Sequence, residues 1–261
     1  MSTAVSPNIR IGCSGWVYPH WRGGLYPEKL AIKHWFAFYA AQFDTVEINN
    51  SFYRLPKAET FDAWRDQAPE GFRYAVKANR FITQAKKLKD CEEPLERMMT
   101  PFRHLQPALG PVLYQLPPRF RVNLDRLERF LELAPKDVTN VFEFRDPSWY
   151  SDAVFALLDQ HGAGFCAHDM PGLESPRLGV ARTAYVRLHG GEGKYWGRYA
   201  DARLLGLVGR SGPSGARGLD LFQLRHRRPR HSGCADAEGN DSAGAAGGRI
   251  DESEALTSVA L

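Results

Sequence analysis

The chain has 261 residues, 43% hydrophobic content, a formal charge of +4 and a pI near 8.9. That suits one domain of barrel size with a large core, and such mild basicity does not by itself point to nucleic acid. No apolar run approaches the ~18 residues that span a membrane, and residues 1–7 lack a basic-then-apolar signal, so a cytoplasmic, non-membrane protein is expected.

The four cysteines, Cys13, Cys91, Cys166 and Cys234, form no C-x-x-C pair and no metal spacing, and are read as reduced thiols. In chain order, Ile9-Arg10-Ile11-Gly12-Cys13-Ser14-Gly15-Trp16 reads as a strand entering a glycine turn. An aromatic loop follows at residues 16–21. Ile32, Phe36, Tyr39 and Phe43 then recur at helical spacing.

Next, Thr45-Val46-Glu47-Ile48-Asn49 alternates, with Glu47 and Asn49 opposite Val46 and Ile48. A half-exposed surface strand would read this way, and so would a strand of a parallel barrel. The recurrence of the pattern favours the barrel. Lys77 and Asn79 share one side of their run. Glu143 and Arg145 oppose Phe142 and Phe144, and Arg187 and His189 oppose Val186 and Leu188. Polar groups at the C-terminal ends of successive strands are where a (β/α) barrel builds its site.

Between these runs come the expected helices. One spans about residues 58–68, stopped by Pro69 and Gly71. A second begins near Pro94 with Leu95, Met98, Met99, Phe102 and Leu105 on its apolar face. Residues 80–90 are basic and irregular. The strand at residues 111–116 ends in Pro117-Pro118. Asn123 can cap a helix striped by Leu124, Leu127, Leu131 and Ala134, and Ser151 a helix carrying Val154, Phe155, Leu157 and Leu158. Residues 164–169 form a short sixth strand. This gives an α/β, TIM-type (β/α) barrel of about seven strands.

The composition breaks at about Leu205. Residues 206–261 hold 10 of the 24 glycines and no lysine, tyrosine or tryptophan. Residues 1–205 are therefore expected as a truncated barrel and residues 206–261 as an aberrant, disordered tail, with the eighth strand and last helix missing or garbled and the tail failing to dock.

The ordered pieces Gly12-Cys13-Ser14-Gly15-Trp16, Val46-Glu47-Ile48-Asn49-Asn50-Ser51-Phe52-Tyr53, Val76-Lys77-Ala78, Gln115-Leu116-Pro117-Pro118, Glu143-Phe144-Arg145-Asp146-Pro147-Ser148-Trp149 and Arg187-Leu188-His189-Gly190 resemble the YecE-like proteins, catalogued as domain of unknown function 72. Tyr195-Trp196-Gly197-Arg198-Tyr199 is similar to that family's tyrosine-glycine-tyrosine loop. The resemblance covers roughly residues 9–205 and implies a TIM-type barrel related in fold to sugar isomerases, with no established reaction. The family's last strand, of the type Y-F-N-x-D-x-x-G-H-A, is missing. With permitted codons chosen for Leu204 onward and read one base later, residues 219–230 can spell W-I-Y-F-N-F-D-I-G-G-H-A, so a frame shift is expected there.

The candidate catalytic residues are Glu47 and Glu143, as an acid–base pair, and His189. Asn49, Tyr53, Lys77, Gln115, Arg145, Trp149 and Arg187 are the candidate substrate-binding residues. An enzyme acting on a small polar, carbohydrate-like or anionic substrate is one reading; a non-catalytic ligand-binding barrel is another. Charges inside barrels also pair merely with each other, as Glu143 with Arg187 would. Aromatics such as Trp16, Trp21, Phe52, Tyr53 and Trp149 either stack on a sugar or pack the core. His168-Asp169 is read as a hydrogen-bonded pair before a metal site, given the lack of metal spacing. No metal or cofactor is indicated, a monomer is expected, and nucleic acid is disfavoured because seven arginines in the tail are balanced by seven acidic residues.

Overall fold

A computed structural model describes residues 9–170, 172–176, 183–189 and 221–224. Seven parallel strands lie between residues 9 and 187. They are β1 (Ile9–Cys13), β2 (Thr45–Ile48), β3 (Arg73–Lys77), β4 (Leu109–Gln115), β5 (Asn140–Glu143), β6 (Gly164–Met170) and β8 (Ala184–Arg187), with a two-residue β7 (Leu173–Glu174) folded back antiparallel on β6. This is the TIM-type α/β fold expected.

The position for an eighth strand, which the sequence reading has as missing or garbled, is occupied by four residues of the tail. Leu221–Leu224 forms β9, parallel to both β1 and β8. With β5 paired to β6, the order β5-β4-β3-β2-β1-β9-β8-β6 closes on itself. The physical reason is that β1 and β8 each present a row of backbone N–H and C=O groups. Four extended residues satisfy those groups whatever their side chains. The rest of the tail, the last helix and the loop at residues 195–199 lie outside the described residues.

Helices pack outside the strands: α1 (Trp35–Ala40), α2 (Asn50–Tyr53), α3 (Ala58–Gln67), α4 (Glu92–Phe102), α5 (Leu124–Leu133) and α6 (Asp152–Gln160). The expected caps form. Asn123 Oδ1 accepts from the backbone N–H of Arg126 at 2.9 Å, and the Ser151 hydroxyl from that of Val154 at 3.4 Å. The first helix is shorter than its stripe suggested, because a 3-10 turn takes Ile32–His34 and leaves Ile32 exposed. The irregular segment after β3 is a π-helical turn, Phe81–Ala85, followed by left-handed backbone at Lys87, Leu88 and Asp90. Its Gln84 side chain donates to the Gln115 carbonyl at 2.7 Å, tying this turn to the end of β4.

Two apolar layers result. The larger lies between strands and helices and includes Val46, Ile48, Tyr74, Val76, Tyr114, Phe142, Phe144 and Phe165. The smaller fills the barrel interior with Ala75, Leu113, Val141, Cys166 and Tyr185. Because strand side chains alternate, two residues further along these same strands bring Lys77, Gln115, Glu143, His168 and Arg187 to the next interior level, at the C-terminal mouth. At the sheet itself Gly12 is required: a Cβ there would sit 2.0 Å from the Thr45 carbonyl oxygen, on the paired residue of β2.

Candidate functional site

Glu47 and Glu143 are both fully buried and converge on one guanidinium. Arg187 Nη2 donates to Glu47 Oε1 at 2.9 Å, and Arg187 Nη1 to Glu143 Oε2 at 2.6 Å. The second oxygen of Glu47 accepts from the Tyr185 hydroxyl at 2.8 Å. The second oxygen of Glu143 accepts from Gln115 Nε2 at 2.8 Å and forms an ion pair with Arg145. Arg145 Nη2 in turn donates to His189 Nε2 at 3.3 Å. A guanidinium has no lone pair to offer, so Nε2 of His189 is the acceptor and its proton sits on Nδ1, 3.6 Å from Asp169 Oδ1. The same Asp169 oxygen accepts from the His189 backbone N–H at 2.7 Å.

Burial raises the pKa of Glu143, but the charges of Arg187 and Arg145 outweigh this and hold its carboxyl well below the usual carboxylate range. His168 is pushed the other way. Burial lowers its pKa, with Glu143 opposing, and its ring is used at both nitrogens. Nε2 lies 2.9 Å from the Phe144 carbonyl and Nδ1 accepts from the Met170 N–H at 3.4 Å, which defines a neutral, Nε2-protonated ring. Burial and the neighbouring Arg187 cation bring Lys77 down to about 8, against the pull of Glu143 and Glu47. Its Nζ lies 4.3 Å over the Phe52 ring and makes no hydrogen bond among the described residues. In the same cluster the buried guanidinium atoms Arg145 Nε and Arg187 Nε have no hydrogen-bond partner among the described residues.

The structure thus brings together Glu47, Glu143, Lys77, Gln115, Arg145, Arg187 and His189. Trp149, read from sequence as either a substrate-stacking or a core aromatic, is not among them. It is fully buried, stacked on Phe144 at 4.8 Å and 2°, and its Nε1 donates to the Phe120 carbonyl. The 3-10 turn Pro147–Trp149 turns the indole into the outer layer, away from the interior side that Glu143 occupies. Tyr53 stands 68% exposed on α2, with Arg80 5.9 Å from its ring centroid, apart from the charged cluster. Asn49 precedes α2 without capping it through its side chain. Trp16 packs on Phe36 and Trp64 in the outer layer.

Two site residues escaped sequence reasoning. Tyr185 shares strand parity with Arg187 and His189, so the signal was present, but a tyrosine beneath two charged residues reads as core. Asp169 reads as a loop partner of His168 and instead holds His189. No group of three metal-ligating side chains occurs among the described residues. At the opposite, N-terminal end of the strands a cavity of about 510 Å³ is lined by Arg10, Arg73, Arg103 and Asp137. Its arginines are tied to carbonyls and acids, Arg10 to the Gly71 oxygen at 2.7 Å and Arg103 to Asp137 at 3.0 Å, so it is a braced rim.

Fold and site together define a TIM-type barrel with a buried ionic network at its C-terminal mouth. Residues 10–241 match the profile of the family described as "Protein of unknown function DUF72", and the chain belongs to that family. It is 31% identical over 144 residues to the UPF0759 protein YecE of Escherichia coli K12, a match covering 55% of this chain and 50% of YecE. To the UPF0759 protein YunF of Bacillus subtilis it is 30% identical over 156 residues, covering 56% and 54%. The chain thus spans about half the length of the curated relatives it matches. A crystal structure of a DUF72 family protein from Thermotoga maritima superposes with a TM-score of 0.68 at 27% identity, over 83% of this chain and 92% of that one. One from Enterococcus faecalis, at 17% identity and a TM-score of 0.65 over 83% and 88%, shares the fold. No helix among the described residues is long and apolar enough to cross a membrane.

Proposed function

We propose that the barrel mouth binds a small anionic, carbohydrate-like molecule and transfers protons on it. The observation that carries this is the unused donor capacity of two buried guanidinium groups, Arg145 Nε and Arg187 Nε, which have no hydrogen-bond partner among the described residues, beside the Lys77 amine resting over Phe52. Buried donors are nearly always satisfied, so these call for a water or a ligand oxygen. Glu143, clasped by two guanidinium groups and held ionised, is the anchor that fixes them. Glu47, ion-paired among the described residues to Arg187 alone, and His189 are the proton carriers. Gln115, Asn49 and Tyr53 supply neutral contacts at the rim.

Calorimetric titration at low salt with inorganic phosphate and with ribose 5-phosphate tests this. Saturable binding is expected, weakened roughly ten- to hundredfold in Arg145→Met by loss of a charge-assisted contact worth ~1.5–3 kcal/mol. A folded wild-type chain that binds neither anion overturns it. The engagement of both carboxylates by protein donors favours a second reading, a non-catalytic binding barrel. Binding without turnover of any sugar phosphate in a screen, with Glu47→Gln unaltered, would select it.

We further propose that the frame changes near Leu205. In support, β9 at Leu221–Leu224 falls on the four residues that the alternative frame reads as Y-F-N-F, the family's last strand. The site of this chain would then lack whatever groups that strand contributes. The nucleotide sequence around Leu205 tests the idea: a single-base insertion or deletion should restore the reading through residue 230, and its absence in every frame rejects it.

A further inference from the structure

We propose that Lys77 is a nucleophilic amine that forms an imine with aldehyde or ketone substrates bearing an anionic group. This rests on the anion-binding reading of the mouth and names the substrate class within it.

Lys77 ends β3, at the end of the barrel where the interior turns polar. Its backbone is pinned, since the Ser51 hydroxyl donates to the Lys77 carbonyl at 2.7 Å and Asn79 Nδ2 donates to the Ser51 carbonyl at 2.9 Å. Its amine rests on the face of Phe52 and is not hydrogen-bonded to either nearby carboxylate. Those carboxylates are already engaged. Glu47 holds Arg187 and Tyr185, and Glu143 holds Arg187, Arg145 and Gln115. A lysine serving only as a structural counter-ion would be clamped by one of them. Here the ion pairing is completed by arginines, and the lysine is left over in a 9% exposed position among buried cations. Desolvation and an adjacent cation are the two devices that free a lysine lone pair near neutral pH, and Lys77 has both, in agreement with its lowered pKa of about 8.

The chemistry balances without an external oxidant. The neutral amine adds to the carbonyl carbon to give a carbinolamine. Both amine hydrogens end on the departing oxygen, which leaves as water, and a C=N bond replaces C=O. The anionic end of the substrate would sit on the unused guanidinium N–H groups of Arg145 and Arg187.

The test is reductive trapping of the full chain with glyoxylate and cyanoborohydride, followed by peptide mass spectrometry. Cyanoborohydride delivers hydride to the imine carbon and leaves a stable secondary amine. Lys77 is expected to be modified about tenfold faster at pH 7 than the exposed lysines, whose amines are protonated up to about pH 10. Its rate should level off above about pH 8, while theirs keep rising. Lys77→Arg, which keeps the charge, should remove this adduct with unchanged circular dichroism. Modification spread over exposed lysines with Lys77 unlabelled overturns the proposal. So does a Lys77 rate that climbs to pH 10 like the others. Binding of inorganic phosphate is measured separately. Phosphate binding with no Lys77 adduct removes only the imine chemistry, and a Lys77 adduct with no phosphate binding removes only the anion site.

Discussion

Replacing Arg187 with methionine should destabilise the protein at pH 7 by ~3–5 kcal/mol, a drop of roughly 10 °C in melting temperature for a chain of this size. The cost comes from what is left behind. Among the described residues, Glu47 loses its one ion-pair partner and Glu143 loses one of two, while both carboxylates are fully buried. An uncompensated carboxylate in such a place is expensive, more so than the pair was ever favourable. The pH dependence separates this cause from simple loss of packing. In the wild type, Glu143 has a depressed folded pKa, so its stabilisation is present above the ordinary carboxylate range and is lost as pH falls through the folded value. In Arg187→Met the charge that depresses Glu143 is weaker, so protonation of Glu143 relieves the variant sooner. The gap between variant and wild type should therefore narrow between pH 7 and pH 4. Thermal melts across that range decide it. A variant that melts with the wild type at pH 7, or a gap that widens in acid, would show that the network is not what holds the mouth together.

Trp149→Ala should cost a further ~3–5 kcal/mol, the usual penalty for emptying a buried aromatic site. The indole is stacked on Phe144, meets Phe120 edge-on at 5.4 Å and donates to the Phe120 carbonyl. Truncation removes the stack, the edge contact and the hydrogen bond together. Trp149→Phe should recover most of the packing and lose only the hydrogen bond, roughly 1 kcal/mol. Phosphate affinity of the folded Trp149→Phe protein should equal that of the wild type, because the side chain lies in the outer layer and not in the mouth. Chemical denaturation measures the first pair of effects and calorimetry the last. An alanine variant of full stability with lost phosphate binding would return Trp149 to the substrate site.

How far the sequence could be read depends on which kind of information each residue carries. Strand parity is local. It follows from the backbone alone, so Glu47, Glu143, Arg187 and His189 were legible as one inward set before any contact was known. Helix caps are local too, and Asn123 and Ser151 form where their spacing placed them. Trp149 lies in a turn, where no period tells inside from outside, so its sequence leaves substrate stacking and core packing both open. Ile32 was misread because a 3-10 turn breaks the 3.6-residue period that seemed to include it. The docking of Leu221–Leu224 is visible only in the structure, because its pairing is dictated by the open edges of β1 and β8, and composition says nothing of those edges.

The sequence by itself determined the barrel and the set of side chains that line its mouth, because alternation and order along the chain suffice for that. Only the tertiary structure decided who partners whom. Arg187 spans both carboxylates, Tyr185 completes Glu47, Asp169 takes His189, and Lys77 is left resting on an aromatic face. Those choices depend on distances between strands remote in sequence, and with several acids and bases on one rim many pairings satisfy the same pattern. Geometry selects one.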